Sequence, residues 1–392
     1  MNEGRTVFSQ LMDFVPMHEF RAAVERYNGE YRIKTFSCWD QYLSMAFAQL
    51  TYRESLRDIE TCLRALQPHL YHCGFRSKIS RSTLADANET RSWEIYRDFA
   101  LALIKRARVL YRGDVSFKEI EGAVYAFDST TIELCLKLFP WATASGHTAT
   151  NAAIKLHTLL DVQSHIPTLI LLTPAKVNDM NMLDHLPLEV GAYYILDRGY
   201  MSLRRLYRIL TSMAFFVTRA KRDLRFHRIY SHPVDKSTGV HVDQTIRFIG
   251  WKSKKDYPSK LRRIKFYDEE RDKYLVFLTN NFSLPAWVIA DLYRSRWQVE
   301  LFFKWIKQHL RIKAFYGTSK NAVLTQVWIA VSVYVLVAIV KKQLGLDLSF
   351  YTILQILSVS LFQKEPILQA LQQRDYKNDV QERSKQLCLF DF

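Results

Sequence analysis

The sequence predicts an α/β fold with a mixed sheet, preceded by a helical region and interrupted by a β-rich insertion. Up to about residue 118, apolar residues recur every three or four positions, as in WDQYLSMAFAQL at 39–50, which is typical of helices. From Gly122 the pattern becomes extended, in apolar segments bounded by turn-forming residues. Beyond these, helical and extended segments alternate, which is typical of a sheet covered by helices.

The extended segments predict the order of the strands. AVYAFD at 123–128, AIKLHTLLD at 153–161 and HIPTLILLT at 165–173 indicate three strands in succession. A short helical segment then precedes the strand AYYILD at 192–197, and an arginine-rich helix precedes the strand AFFVTRA at 214–220. This order, an initial strand meander followed by alternating helices and strands, predicts a mixed sheet with helices packed on it.

The chain divides into three predicted regions. Residues 1–118 form a helical N-terminal domain, residues 119–345 the α/β domain, and residues 346–392 a helical segment with a polar tail. Within the second region, residues 226–274 turn basic and alternate in extended stretches such as TIRFIGWK at 245–252, which predicts a β-rich insertion. The apolar run VWIAVSVYVLVAIV near the end of that region is too short to cross about 30 Å of hydrocarbon, so we expect a buried core helix.

The charge of the chain favours a polyanionic partner. Its formal charge is +16, from 55 Lys and Arg against 39 Asp and Glu, and its pI is near 9.5. Nucleic acid is the commonest partner of such proteins, although a solvated basic surface without a partner is an alternative that charge alone leaves open. The five cysteines are scattered and contain no CxxC pair, so we expect a reducing cytoplasm and no disulfide framework.

A short N-terminal segment has the features of a DNA-reading helix. The stretch ISRSTLADANETR at 79–91 offers Ser and Thr caps, followed by a helix with Arg81, Asn88 and Arg91. A capped surface helix without any role in binding DNA is an equally good interpretation of this pattern.

Two aspartates stand at the ends of predicted strands. Asp128 closes AVYAFD, and Asp197 closes AYYILD. Carboxylates at the ends of neighbouring strands can converge on one sheet edge and hold a hard cation through oxygen ligands. Each aspartate taken alone is more often a turn or helix-cap residue, so the interpretation depends on a third group.

A long helix predicted to start near Ala286 provides that third group. At 100° per residue, five polar side chains fall within roughly 40° of a single acid, Glu300. They are Tyr293, Arg296, Lys304, Lys307 and Arg311. The alternative is a solvated helix face with ion pairs between successive turns. A single acid among basic and hydroxyl groups, opposite a strongly aromatic face, weighs against that alternative.

The spacing of four of these residues carries a specific resemblance. Tyr293, Arg296, Glu300 and Lys307 match the Y-R-E-K signature of transposases of insertion sequence family 4. FDSTT around Asp128 and LDRGY at 196–200 resemble the two aspartate motifs of that family. The resemblance covers most of the chain, and it includes a β-rich insertion between the second aspartate and the glutamate.

The resemblance implies an RNase H-like catalytic core in a DNA transposase. In such a core Asp128, Asp197 and Glu300 would bind two Mg²⁺ ions, for which Mn²⁺ can substitute, and would cut and rejoin DNA by in-line displacement at phosphorus. Tyr293, Arg296 and Lys307 would hold the DNA backbone, together with Lys304 and Arg311 on the same face. The expected partners are the terminal inverted repeats and target DNA, bound by a homodimer at the nucleoid. The helical domain of residues 1–118 is expected to be the DNA-binding domain that reads the repeats.

Two other functions remain open for the same residues. One is an RNase H-like nuclease that cuts DNA without joining ends, and the other is a domesticated DNA-binding protein that no longer cuts. Intact Asp128, Asp197 and Glu300 weigh against the second. An aromatic side chain of the insertion could stack on a displaced base, and Trp251 is a candidate for this role by its location only. The interpretation that Trp251 does not stack on a base is favoured.

The tail contains a peptide of a different kind. Gln386–Phe390, QLCLF, follows a polar stretch and resembles the Q-L-x-L-F peptide with which bacterial replication and repair proteins dock on the DNA sliding clamp. The alternative is that these apolar residues fold back onto the catalytic domain. The pattern does not favour either interpretation clearly.

Overall fold

A computed structural model describes residues 4–113, 117, 119–135, 137–142, 152–309 and 315–372. Seven helices occupy the N-terminal part of the described chain, as the apolar spacing predicts. They are α1 (Val7–Met12), α2 (Met17–Arg26), α3 (Cys38–Leu50), α4 (Leu56–Ala65), α5 (Gln67–Leu70), α6 (Arg81–Thr90) and α7 (Glu94–Tyr111). The side chains of Ser37, Ser55 and Ser80 cap α3, α4 and α6 by accepting a hydrogen bond from a backbone amide of the first turn.

A nine-stranded sheet follows the N-terminal helices. Its strands are β1 (Val124–Leu134), β2 (Ala152–Asp161), β3 (Pro167–Pro174), β4 (Tyr193–Leu196), β5 (Phe215–Arg219), β6 (Phe226–Ser231), β7 (Val240–Phe248), β8 (Leu261–Asp268) and β9 (Lys273–Thr279). The spatial order is β3-β2-β1-β4-β5-β9-β8-β7-β6. β1, β2 and β3 are antiparallel, whereas β4 and β5 run parallel to β1. This confirms the predicted mixed sheet, and the first five strands have the RNase H-like order.

The basic insertion extends the central sheet. Its strands β6, β7 and β8 form an antiparallel meander, and β9 pairs antiparallel with both β8 and β5. A buried arginine links the insertion to the chain after β9. Arg262 pairs with Asp243 at 2.7 Å within the insertion, and it donates to the carbonyl of Leu284 beyond β9. The β-rich prediction is confirmed, except that Trp251 begins a short helix, α9 (Trp251–Asp256), where the sequence pattern suggested extended chain.

Six further helices lie around the sheet, some packed on its strands and others on the N-terminal helices. They are α8 (Leu203–Thr211), α10 (Ala286–Ser295), α11 (Trp297–His309), α12 (Lys320–Gln343), α13 (Phe350–Ser360) and α14 (Ile367–Leu371). The single long helix predicted from Ala286 is wrong, because the chain turns tightly at Arg296. There the amide of Arg296 donates to the Tyr293 carbonyl and the amide of Val299 donates to the Arg296 carbonyl, both three residues back.

Each face of the sheet has its own apolar core. One core joins the N-terminal helices, α10–α14 and the sheet face that carries Ala126, Ile195 and Val217. The other joins α8 to the opposite face, which carries Phe127 and Leu196. Helix α12 is long and apolar enough to cross a membrane, but its most apolar stretch is wholly buried inside the protein. This confirms the predicted core helix.

Candidate active site

The two strand-end aspartates lie side by side at one edge of the sheet. Phe127 of β1 pairs with Leu196 of β4, so Asp128 and Asp197 occupy the next positions on two adjacent parallel strands. Asp197 follows the last residue of β4, where its side chain accepts a hydrogen bond from the Gly199 amide at 3.3 Å. Asp128 does not end its strand, contrary to the prediction, because β1 continues to Leu134 in its pairing with β2. Both aspartates nevertheless lie just beyond the last residue pair that joins β1 to β4.

Helices α10 and α11 bring three further groups to this edge. The guanidinium of Arg296 donates to Asp128 Oδ2 at 3.0 Å and to Glu300 Oε1 at 2.5 Å. The hydroxyl of Tyr293 donates to Asp197 Oδ1 at 3.2 Å. The hydrogen bonds form two groups, Arg296 with Asp128 and Glu300, and Tyr293 with Asp197, and the Arg296 guanidinium lies 5.9 Å from the centre of the Tyr293 ring. We call these five residues the carboxylate network.

Burial and neighbouring charges separate the two aspartates electrostatically. Burial is the main cause that raises the pKa of Asp128 to about 6, and the carboxylates of Asp197 and Glu300 act in the same direction. The Ser129 amide and Arg296 oppose this shift only in part. Burial also acts to raise the pKa of Asp197, but hydrogen bonds from the amides at 198–199 outweigh it, and the pKa is lowered.

The cation and the phenol of the network keep their protons. Burial acts to lower the pKa of Arg296, but the hydrogen bond to Glu300 and the nearby acidic groups raise it overall. Burial, followed by the charge of Asp197, raises the pKa of Tyr293 to about 12. The Arg296 Nε atom is buried and has no hydrogen-bond partner among the described residues. Both groups are therefore hydrogen-bond donors at neutral pH, and the Nε–H group of Arg296 is a donor without a partner among the described residues.

The chemistry of the site suits a hard cation. Its three acids offer only oxygen ligands, which divalent cations such as Mg²⁺ prefer. The guanidinium of Arg296 already neutralises Asp128 and Glu300 in the way that a bound cation would. In this arrangement, no three acidic, His or Cys side chains within the described ranges lie close enough together to hold an ion. Arg296 therefore occupies the space between Asp128 and Glu300 in this structure.

The other predicted DNA-binding residues lie outside the network. Lys304 and Lys307 are exposed on α11, and Lys304 borders an apolar groove lined by Leu301 and Trp305. Arg311 lies outside the described residues. Trp251 is 81% exposed at the start of α9, and the Lys255 ammonium lies 5.5 Å from the centre of its ring.

Arg219 is a site residue that the sequence reasoning missed. Leu196 of β4 pairs with Thr218 of β5, so Arg219 occupies the position beside Asp197 on the next parallel strand. It lies close enough to Tyr293 to affect the pKa of that phenol, and its side chain has no hydrogen bond or ion pair among the described residues. The alternation of strands and helices could have indicated it, because parallel strands bring their carboxyl ends to one edge.

The candidate DNA-reading helix α6 has only one of its three expected side chains exposed. Asn88 is buried and accepts a hydrogen bond from Gln41 at 2.8 Å. Arg91 is also buried, and it donates to the Ser37 carbonyl and to Gln41. These two residues hold α6 against α3 and are not available to DNA. Arg81 remains exposed at the first turn.

Family comparisons cover both halves of the chain. Residues 120–336 match the transposase DDE domain, and residues 3–76 match a domain of unknown function, DUF4372. The chain is 34% identical over 264 residues to the putative transposase y4zB of Sinorhizobium fredii, covering 66% of this chain and 71% of that protein. It is 31% identical over 229 residues to a probable transposase for insertion sequence element IS5377 of Geobacillus stearothermophilus, covering 57% of this chain and 59% of that protein.

A solved structure also shows an overall likeness. It is the cryo-EM structure of the piggyBac transposase synaptic complex with hairpin DNA, with a TM-score of 0.45 and 10% sequence identity. The likeness covers 95% of this chain and 83% of that one.

Proposed function

Because the chain belongs to the transposase DDE domain family, we propose that it cuts DNA at the terminal inverted repeats of an insertion sequence and joins the cut ends to target DNA. The observation that supports this best is the network in which Asp128, Asp197 and Glu300 meet at one sheet edge beside Arg296 and Tyr293. Three carboxylates with phosphate-binding donors between them are what phosphodiester chemistry requires.

Transposase DDE domains generally use a divalent metal. We propose that Asp128, Asp197 and Glu300 hold two Mg²⁺ ions, with Mn²⁺ as a substitute. When bound, the metal activates an oxygen nucleophile and offsets the charge that develops on the leaving oxygen. The raised pKa of Asp128 fits this role, because a buried carboxylate with acidic neighbours is stabilised by added positive charge.

We propose that Arg296 and Tyr293, which donate hydrogen bonds to carboxylates in this structure, donate to a DNA phosphate when DNA is bound. If Asp128 and Glu300 held a metal, the guanidinium of Arg296 would be free to donate to the scissile phosphate, and its unpaired Nε would add a second donor. Tyr293 donates from the side of Asp197. Arg219, which has no acidic partner among the described residues, can bind a phosphate beside the same aspartate. Lys304 and Lys307 on α11 would contact the DNA backbone, as would Arg311, which lies outside the described residues.

A joining assay distinguishes this function from its alternatives. Purified protein, Mg²⁺ and a duplex with a pre-cut inverted repeat should yield products in which the 3′ end is linked to a target plasmid. A nuclease of the same fold would cut uncut repeats without joining, and a domesticated binding protein would retain the repeat without cutting it. We also propose that the protein–DNA complex contains two copies of the chain, and that it forms at the cytoplasmic nucleoid.

Lys307 allows a direct test of phosphate binding along α11. Its side chain is exposed, so Lys307→Ala should leave the melting temperature unchanged. We expect this variant to weaken binding of the repeat and to lower the slope of log K against log salt by about one unit. Titrations at several salt concentrations measure the slope. Lys105→Ala removes the same charge from an exposed position on α7 and is the control. An unchanged slope would remove Lys307 from the DNA contacts.

The clamp-like peptide Gln386–Phe390 lies outside the described residues, and its role remains a proposal. Docking on the sliding clamp would bring the enzyme to replicating DNA. We expect a peptide of the last ten residues to bind purified clamp, with Leu389 and Phe390 both required. Surface plasmon resonance can measure this, with a peptide carrying alanine at both positions as control. Absence of binding by peptide and whole protein at high micromolar concentration would sink the idea and favour packing on the core.

A further inference from the structure

An apolar groove lies beside α11. Its volume is about 640 Å³, within the range of about 300–1,000 Å³ that is usual for ligand pockets. Helices α11, α12 and α13 supply most of its lining, including the apolar and aromatic side chains of Leu301, Trp305, Tyr334, Phe350 and Tyr351. We call it the α11–α13 groove.

The aromatic walls of the groove are held in place by contacts within the protein. The centre of the Tyr334 ring lies 4.5 Å from that of Trp305 and 5.1 Å from that of Phe350, on which it stacks. The hydroxyl of Tyr334 also donates to the His165 carbonyl at 2.9 Å. The groove is therefore formed without a partner in it, which lowers the cost of binding one.

The surface of the groove is suited to an apolar peptide that carries a negative charge. Leu301 is 42% exposed and Tyr351 is 53% exposed. Apolar surface left open in a concave site often marks a binding site. The lining also contains the cations Lys304 and Lys341 and no acid. Lys304 is exposed and forms no ion pair with an acid within the described ranges.

The tail of this chain contains a peptide of that kind. Residues 387–390, LCLF, supply three large apolar side chains, and Asp391 follows them directly. The mostly polar residues 373–386 connect α14 to this peptide and can span about 45 Å when extended. Helix α14 packs on α13, whose first residues line the groove and whose length is about 16 Å. The peptide can therefore reach the groove of its own chain.

We infer that residues 387–390 dock in the α11–α13 groove of their own chain, with Asp391 beside Lys304. Attachment to the same chain favours this occupant over a free peptide, because a short linker typically gives an effective concentration in the millimolar range. Clamp docking requires the same apolar side chains, so the two docking events exclude one another. The inference goes beyond the proposed DNA chemistry and does not depend on it.

Cysteine crosslinking in the full chain tests this docking. Cys388 lies within the peptide, and Tyr351→Cys places a second thiol in the groove. With diamide as the oxidant, and without DNA or metal, we expect a disulfide with Cys388 that forms within one chain at a rate independent of protein concentration. Mass spectrometry of the digested protein identifies the linked pair. Leu389→Ala together with Phe390→Ala should lower the rate by about ten-fold or more, because the peptide then loses its apolar contacts.

The matched control is Val359→Cys on the same helix. Val359 is 79% exposed near the end of α13, from which the chain leads to α14 and the tail, and it does not line the groove. Its disulfide with Cys388 should form about ten-fold more slowly than that of Tyr351→Cys, because attachment alone does not hold the peptide at this position. Equal rates for the two variants, or a disulfide that joins two chains, would overturn the inference.

Alkylation of the native Cys388 is a second test that needs no added cysteine. A docked thiol is shielded, so Tyr351→Glu, which puts an acid into the groove, should speed alkylation of Cys388 by iodoacetamide about five-fold. Val359→Glu should leave the rate at the wild-type value. If Cys388 reacts equally fast in both variants and the wild type, the groove does not hold the peptide. Neither test uses DNA, so a failure to cut or join repeat ends would count against the proposed function alone.

Discussion

Changing any one of Asp128, Asp197 and Glu300 to its amide is expected to abolish DNA cleavage while leaving binding of the terminal repeat largely intact. Each amide keeps the shape of the side chain but removes a negative charge from the proposed metal site. The metal supplies several kcal/mol of charge stabilisation in the transition state, so we expect a loss of about a thousand-fold or more in rate. Nicking of a labelled repeat in Mg²⁺ measures the rate, and a mobility-shift assay measures binding.

A matched control separates this effect from a general loss of charge. Asp291 lies on α10, and its carboxylate pairs with Arg294 at 3.0 Å outside the carboxylate network, so Asp291→Asn should cleave normally. Calcium should support binding of the repeat without cleavage, because its looser coordination shell fits in-line displacement poorly. An amide variant that still nicks DNA at the wild-type rate would remove that residue from the site.

The convergence of the two aspartates was predictable because it depends on local patterns. Each aspartate ends a short apolar run, and alternating strands and helices bring the carboxyl ends of parallel strands to one edge. Helical periodicity then indicates which face of the segment around Glu300 is polar. Neither pattern contains the pairing of distant strands. The position of β9 beside β5 therefore appears only in the folded chain.

The type of a polar side chain also does not show whether that side chain faces solvent or the protein interior. Asn88 and Arg91 look like DNA-reading residues, yet they bind Gln41 in the interior, because buried backbone and amide groups near α3 need partners. The tight turn at Arg296 could not be predicted either, because the residues of the turn are all compatible with a continuous helix. That turn lies beside the two carboxylates that Arg296 bridges. Helical periodicity alone predicts that Arg296 contacts DNA, and it does not predict the ion pairs with Asp128 and Glu300.

Arg296→Ala is expected to make the stability of the protein depend on metal in the absence of DNA. In the wild type, the guanidinium neutralises Asp128 and Glu300, and under the proposed function a divalent cation would compete with it for these carboxylates. Its removal leaves two partly buried carboxylates without a cation, which should cost about 2–4 kcal/mol of stability in metal-free buffer. A metal that binds the freed carboxylates at a hundred-fold excess over its Kd restores about 2.7 kcal/mol.

Thermal unfolding with and without Mn²⁺, and without DNA, measures this linkage. The melting temperature of Arg296→Ala should be below that of the wild type in chelator and should rise by several degrees as Mn²⁺ is added, with a smaller rise for the wild type. Arg219→Ala is the matched control, because Arg219 lies beside the same network without an acidic partner in the described chain, so its response should follow the wild type. Arg296→Ala should nevertheless cleave poorly, since the same guanidinium is needed at the phosphate. If Mn²⁺ shifts the melting temperatures of Arg296→Ala and the wild type equally, Arg296 does not compete with a metal for these carboxylates.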